Sequence, residues 1–197
     1  MLPITRNVVR PENRTLAILA AVLLPLLALG WHERALRIDV QRQAGTAASQ
    51  VAGRPVRVLC PGVAKRTFLR EVNHGSVKFY DGLPVDDTNL SGEACAGLRR
   101  LVVRGGALDL ACLQLDRCST DDTAVALGVS VLAHEAVHLR GVIDEAKTEC
   151  ESVRWAAGVA RTLGATPQAA AAIADWKFSV GADHLPEQYQ TTADCRL

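Results

Sequence analysis

The segment His134–His138, with the sequence His-Glu-Ala-Val-His, combines two imidazoles and a carboxylate. Residues four apart lie one turn apart on the same face of an α-helix, so both imidazoles can reach one ion. Imidazole nitrogens are common ligands of Zn²⁺. The carboxylate of Glu135 lies beside that face, where it can accept a proton from water that the metal has made more acidic. The segment therefore predicts zinc ligands at His134 and His138 and a general base at Glu135.

A catalytic zinc needs a third protein ligand and one open position. Acidic side chains follow the histidines closely in the sequence, at Asp144, Glu145, Glu149 and Glu151. The simplest alternative is an amphipathic helix that carries two polar surface histidines. That interpretation does not explain the acidic residues that follow, so a metal site is favoured.

The pattern His-Glu-x-x-His is the signature of zincin-type zinc metallopeptidases, and residues 120–155 resemble that family. The resemblance implies zinc as cofactor, a peptide or protein as substrate, and hydrolysis by metal-activated water. The spacing to Gly141 and Asp144 is similar to the metzincin pattern, which implies Asp144 as the third ligand. Metzincins also place a methionine beneath the metal, but the only methionine of this chain is Met1.

The thermolysin-like gluzincins carry a glutamate ligand on a second helix, followed four residues later by an acidic residue. Glu145 and Glu149 resemble that pair. The resemblance implies Glu145 as the third ligand and Glu149 as the hydrogen-bond partner that orients a ligand histidine. One departure is the separation, since only six residues lie between His138 and Glu145, where those enzymes have a much longer insertion.

The choice between Asp144 and Glu145 depends on what else each carboxylate does. Asp144 is also predicted as the N-cap of the second helix, where its side chain bonds to backbone N–H groups. Glu145 and Glu149 share a helix face, and like charges there repel unless a cationic group lies between them. A metal and a histidine supply such groups. We therefore favour Glu145 as third ligand and keep Asp144 as the alternative.

The C-terminal stretch contributes two further candidates, His184 and Tyr189. In zinc peptidases a downstream histidine or tyrosine stabilises the tetrahedral oxyanion, and the resemblance implies that role for either residue. An exposed position in a polar tail is the simpler interpretation of both.

The first thirty residues have the order of a signal peptide or a signal anchor. Three arginines precede an apolar run over residues 16–30, which as a helix would span roughly 22 Å, short of the ~30 Å hydrocarbon layer. Either outcome exports the rest of the chain. Residues 31–53 are charged and then rich in small polar residues, which predicts a linker or stalk before a domain over residues 54–197.

Cysteine usage agrees with export, because the six cysteines all follow the apolar run. An oxidising compartment would pair them into disulfides, but the sequence does not determine which cysteines pair. The spacing suggests Cys112–Cys118 as a local link, Cys60–Cys95 within the first half of the domain, and Cys150–Cys195 at the tail.

Short β-branched runs at Val56–Leu59 and Ser76–Tyr80 predict strands, the second of them along the active-site cleft. Capping residues predict helices from Ser91, from Ser119 or Thr120, from Asp144 or Glu145, and from Thr166. The predicted class is α+β, a mainly helical, disulfide-linked, minimal zincin-like domain with a few short N-terminal strands.

The net charge is only +1 and the sequence has no patch that combines aromatic residues with arginine, which argues against nucleic acid as a partner. Membrane contact is expected only through the N-terminal segment. The segment from His134 to Gly141, followed closely by Asp144–Ala146 and a cysteine, is also similar to exported actinobacterial proteins of unassigned function. The predicted function is an exported zinc metallopeptidase. The alternative is a catalytically inactive zinc-binding or disulfide-stabilised interaction module at the cell surface.

Overall fold

The computed structural model describes residues 11–60, 73–80, 83–108, 110–115, 117–183 and 195. Helix α1 covers Pro11–Ala52, and the chain divides within it into two compact units, Met1–Leu36 and Arg37–Leu197. In the first unit, the large apolar side chains between Ile18 and Trp31 are exposed. The helix from Ile18 onward is apolar and long enough to cross a membrane, a property that signal sequences share.

The second unit begins earlier than the sequence predicts. The predicted linker over residues 31–53 instead contributes core side chains, each at most 2% exposed, from Val40, Ala44, Ala47, Ala48 and Val51. These positions follow helical spacing and form one buried stripe along the helix. The stripe is narrow and consists mostly of alanine, so the polar residues between these positions make it difficult to recognise in the sequence. The compact unit accordingly starts at Arg37 rather than near residue 54.

Three short strands form a mixed sheet: β1, Val56–Leu59; β2, Asn73–Tyr80; and β3, Leu83–Asn89. Their order is β1-β3-β2, with β3 parallel to β1 and antiparallel to β2. The strands predicted at Val56–Leu59 and Ser76–Tyr80 are confirmed. Strand β3 was not predicted, because a proline and two aspartates in it are unfavourable in strands.

Four helices supply most of this unit: α2, Gly92–Arg104; α3, Thr120–Leu139; α4, Glu145–Thr162; and α5, Pro167–Asp183. Two 3₁₀ turns, Gly105–Ala107 and Ala111–Leu115, lie between α2 and α3. Each helix begins after a side chain that accepts a hydrogen bond from a first-turn backbone N–H, namely Ser91, Ser119, Asp144 and Thr166. The described chain is thus mainly helical with a few short strands, as predicted.

Helices α2 and α3 meet at two glycines. A Cβ atom at Gly97 would lie 1.8 Å from the carbonyl oxygen of Ala124, and one at Gly128 would lie 2.6 Å from that of Ala94. Any larger residue would therefore push the two backbones apart. Fully buried side chains surround this contact, among them Leu98, Leu101, Val125, Val129 and Leu132. The contact fixes the position of α3, the helix that carries the histidines.

Three disulfides are present, Cys60–Cys95, Cys112–Cys118 and Cys150–Cys195. They are the pairings that the spacing suggests. The first ties the end of β1 to α2, and the third attaches residue 195 to α4. With all six cysteines paired, the domain has the covalent links typical of proteins from oxidising compartments.

Candidate metal centre

Helix α3 carries His134 and His138 near its C-terminal end, one turn apart. Their side chains are only 14% and 12% exposed. The neighbouring residues Ala133, Ala136 and Val137 are fully buried, which fixes this turn of the helix against the core. Such burial argues against the interpretation of the histidines as polar surface residues.

The turn after α3 brings the chain back to the histidines. Gly141 has a φ of 106°, a left-handed conformation that favours glycine at the end of a helix. Asp144 then caps α4, because its Oδ1 accepts a hydrogen bond from the backbone N–H of Lys147 at 2.8 Å. Helix α4 therefore starts at Glu145, and the six residues after His138 are enough to return this glutamate to the site.

Three potential ligand atoms converge at this point: Nε2 of His134, Nε2 of His138 and Oε2 of Glu145. The two nitrogens are 3.0 Å apart, and each lies 3.2 Å from the carboxylate oxygen. In a tetrahedral zinc site with bonds of about 2.0–2.1 Å, neighbouring ligand atoms are roughly 3.3 Å apart. The triangle therefore has nearly the size that one zinc ion requires.

The other nitrogen of each imidazole has a protein partner. Nδ1 of His134 lies 2.8 Å from Oε2 of Glu149, and Nδ1 of His138 lies 2.7 Å from the carbonyl oxygen of Val142. The hydroxyl of Thr148, which is completely buried, donates to the same carbonyl at 3.2 Å. These contacts from α4 and from the turn before it hold both rings in orientation.

The same partners determine which ring nitrogens carry protons. A carbonyl oxygen only accepts, so Nδ1 of His138 must donate, and an ionised Glu149 requires the same of Nδ1 of His134. In the neutral rings Nε2 is then an unprotonated acceptor. Three acceptor atoms that face one another at 3.0–3.2 Å repel unless a proton or a metal ion lies between them. Two imidazoles and a carboxylate are a donor set that suits Zn²⁺.

Glu149 itself is buried and forms a second contact, with Lys177 on α5. Its Oε1 lies 2.6 Å from the ammonium nitrogen, and both side chains are at most 6% exposed. Burial raises the pKa of Glu149, but the His134 hydrogen bond and the Lys177 charge outweigh it and hold this pKa below its ordinary value. Burial also lowers the pKa of Lys177, and the Glu149 carboxylate offsets part of that change.

Glu135 follows His134 on α3 and is 6% exposed. This burial does not fit an ordinary solvated glutamate, because glutamate is rarely buried unless it is paired or functional. The residue remains the candidate general base because of its position beside the two histidines.

The structure brings four of the predicted site residues together: His134, His138, Glu145 and Glu149. Asp144 does not join them, because its carboxylate caps α4. The predicted oxyanion stabilisers, His184 and Tyr189, lie outside the described residues. Strand β2, predicted to lie along the cleft, is an edge strand of the described sheet and contacts α3.

Lys177 and Thr148 were not predicted as residues of the site. Lys177 continues a buried stripe of α5 formed by Ala169, Ala170 and Ile173, at spacings of three and four residues. A lysine on the apolar face of a helix is a signal that it has a buried acidic partner. Thr148 carries no comparable signal, since threonine is common on helix surfaces.

Comparison of the chain with models of known families, with curated proteins and with solved structures gives no match. The functional assignment therefore depends on the chemistry of the site itself.

Proposed function

We propose that the chain is an exported, zincin-like zinc metallopeptidase with His134, His138 and Glu145 as metal ligands and Glu135 as general base. The observation that carries this proposal is the convergence of three acceptor atoms within 3.2 Å of one another. In addition, both Nδ1 atoms are held by protein groups. Partners of this kind are typical of zinc sites, where they fix the tautomer and raise the basicity of the ligand.

When bound, zinc supplies Lewis acidity that polarises the scissile carbonyl and lowers the pKa of water towards ~7. His134, His138 and Glu145 would hold the ion, and a set of three protein ligands would leave room for water and substrate. In the proposed mechanism, Glu135 accepts the proton of the attacking water and then delivers it to the departing amine nitrogen. Glu149 and the Val142 carbonyl keep the imidazoles in the tautomer that binds metal. His184 and Tyr189 remain candidates for stabilising the oxyanion.

An extracytoplasmic location belongs to the same proposal. Its support is the apolar N-terminal helix together with three disulfides, since disulfides persist in oxidising compartments. The protein is then either secreted after cleavage or anchored by its N-terminal segment.

The test is a Glu135→Gln variant of the full-length chain, purified in detergent and loaded with zinc. We expect peptide hydrolysis, measured on a library of fluorogenic peptides, to fall by roughly 10²–10⁴-fold, while elemental analysis finds the zinc content unchanged. Glu151→Gln, the same chemical change outside the site, is the matched control and should retain full activity. Equal activity in Glu135→Gln and the wild type would overturn the assignment of the base.

The burial of Glu135 favours one second candidate, a zinc-binding interaction module without turnover. A carboxylate that is 6% exposed has limited access to water and substrate. In that case the wild type would bind zinc and lose thermal stability on chelation, yet hydrolyse no peptide of the library.

A further inference from the structure

Lys177 lies on α5, a different helix from any of the three proposed ligands. Its side chain is only 4% exposed and its Nζ lies 2.6 Å from Oε1 of Glu149. A lysine ammonium is rarely buried to this extent unless a carboxylate compensates its charge. Lys177 is therefore bound to a carboxylate that itself contacts a proposed metal ligand.

The two oxygens of Glu149 are divided between two partners. Oε1 contacts Lys177 and Oε2 contacts Nδ1 of His134, at 2.6 and 2.8 Å. Rotation of the carboxylate would break one or both of these short, charge-assisted contacts. A continuous chain of hydrogen bonds thus runs from α5 through α4 to the imidazole on α3.

Glu149 lies on the far side of the imidazole from the proposed ion, because its Oε2 contacts Nδ1 of His134 while Nε2 faces Glu145. Glu149 can therefore act on a metal only through His134. A buried carboxylate without a cationic partner is unfavourable, and Lys177 supplies that partner.

We propose that Lys177 is a positioning residue of the metal centre. Through Glu149 it holds His134 in the orientation that binds metal. This inference rests on the proposed function, because it presupposes that zinc binds at His134, His138 and Glu145.

The experiment measures the zinc affinity of the full-length chain by competition with a chromophoric chelator. Lys177→Met keeps the length of the side chain and removes its charge, and we expect zinc to bind roughly 10- to 100-fold more weakly. Lys177→Arg should restore part of the affinity. Lys147→Met makes the same change at an exposed position of α4 and should leave affinity unchanged.

Cobalt substitution adds a readout that a purely structural role would not change. If Lys177 orients His134 through Glu149, the visible absorption of the Co²⁺-loaded Lys177→Met variant should shift, because the orientation of the His134 ligand changes. A spectrum identical to that of the wild type would overturn this part of the proposal.

A double variant separates the proposed route through Glu149 from a general loss of packing. Glu149→Gln with Lys177→Met contains no uncompensated buried charge, so it is expected to fold even if Lys177→Met alone does not. If Lys177 acts through Glu149, the double variant binds zinc as tightly as Glu149→Gln alone. A further loss in the double variant would show that Lys177 acts by another route and would overturn the inference.

The wild type distinguishes this inference from the proposed function. Zinc binding by the wild type with equal affinity in Lys177→Met contradicts only the role of Lys177. A wild type that takes up no zinc contradicts the proposed metal centre, and with it the role of Lys177.

Discussion

The two halves of helix α3 are both buried, but different interactions hold them. The N-terminal half packs against α2 through Gly128 and fully buried aliphatic side chains such as Val125 and Val129. The C-terminal half carries His134 and His138, which are held by hydrogen bonds from α4 and from the turn before it. The packing of the first half depends on the size of its side chains. The interactions of the second half depend on the direction of its polar side-chain atoms.

This contrast predicts that stability and the proposed metal binding depend on different halves of one helix. A change of volume in the N-terminal half should lower the free energy of unfolding without altering the affinity for zinc in the folded state. A change of polar atoms near the C-terminal half should lower zinc affinity at a smaller cost in stability.

The largest effect is expected at Glu145, compared with its neighbour Asp144. Glu145→Ala removes one of three converging donor atoms, so zinc affinity should fall by more than ~100-fold, beyond the loss typical of an outer partner. Asp144→Ala removes the N-cap of α4 and should cost about 1 kcal/mol of stability while zinc is still bound. Chelator competition and thermal unfolding of both variants measure the two effects.

A loss of zinc affinity in Asp144→Ala but not in Glu145→Ala would identify Asp144 as the third ligand. It would also mean that the start of α4 rearranges when metal binds.

A smaller effect, on stability, is expected at the α2–α3 contact. A Cβ at Gly97 would meet backbone at 1.8 Å, so Gly97→Ala should cost about 1–3 kcal/mol through displacement of the helices. Gly158→Ala is the matched control, because a Cβ there meets nothing within 4 Å. In the interior of α4 this control should stabilise the chain by about 0.5–1 kcal/mol.

Chemical denaturation with the disulfides intact measures both glycine variants. Unchanged stability of Gly97→Ala would contradict the steric account of the contact. Weaker zinc binding by folded Gly97→Ala would contradict the independence of the two halves of α3.

The smallest effect concerns the pH dependence of stability in the metal-free protein. The pKa of Glu149 is lower in the folded chain than its ordinary value of 4.5, so the ionised carboxylate favours folding. That contribution is complete above the unfolded pKa and is lost as the pH falls through the lower, folded pKa. The stability difference between the wild type and Glu149→Gln should therefore shrink as the pH falls below 4.5.

Unfolding free energies of both proteins at a series of pH values measure this difference. A difference that stays constant across that range would mean that the Glu149 charge does not stabilise the fold.

Much of the site could be predicted because its parts are close in sequence. The spacing of His134 and His138 is a property of any helix, and N-cap preference distinguished Asp144 from Glu145 before the fold was considered. The turn that returns Glu145 to the histidines needs only a glycine at Gly141. For these residues, local rules were sufficient to predict the geometry.

The remaining features depend on packing between distant segments. Lys177 reaches Glu149 only because α5 packs against α4, and no local rule specifies that pairing. The predicted linker around Val40 and Ala44 lies in the core because small side chains allow close approach of α1. Alanine is too weakly hydrophobic for such a stripe to stand out in the sequence.

The most direct test of the metal centre is the metal content of the purified full-length chain, measured by elemental analysis beside a His134→Ala variant. We predict one zinc ion per wild-type chain and none in the variant, with the fold of both intact by circular dichroism. A wild-type chain that contains no zinc and takes up none when it is added would contradict the account. The convergence of His134, His138 and Glu145 would then be a feature of packing alone.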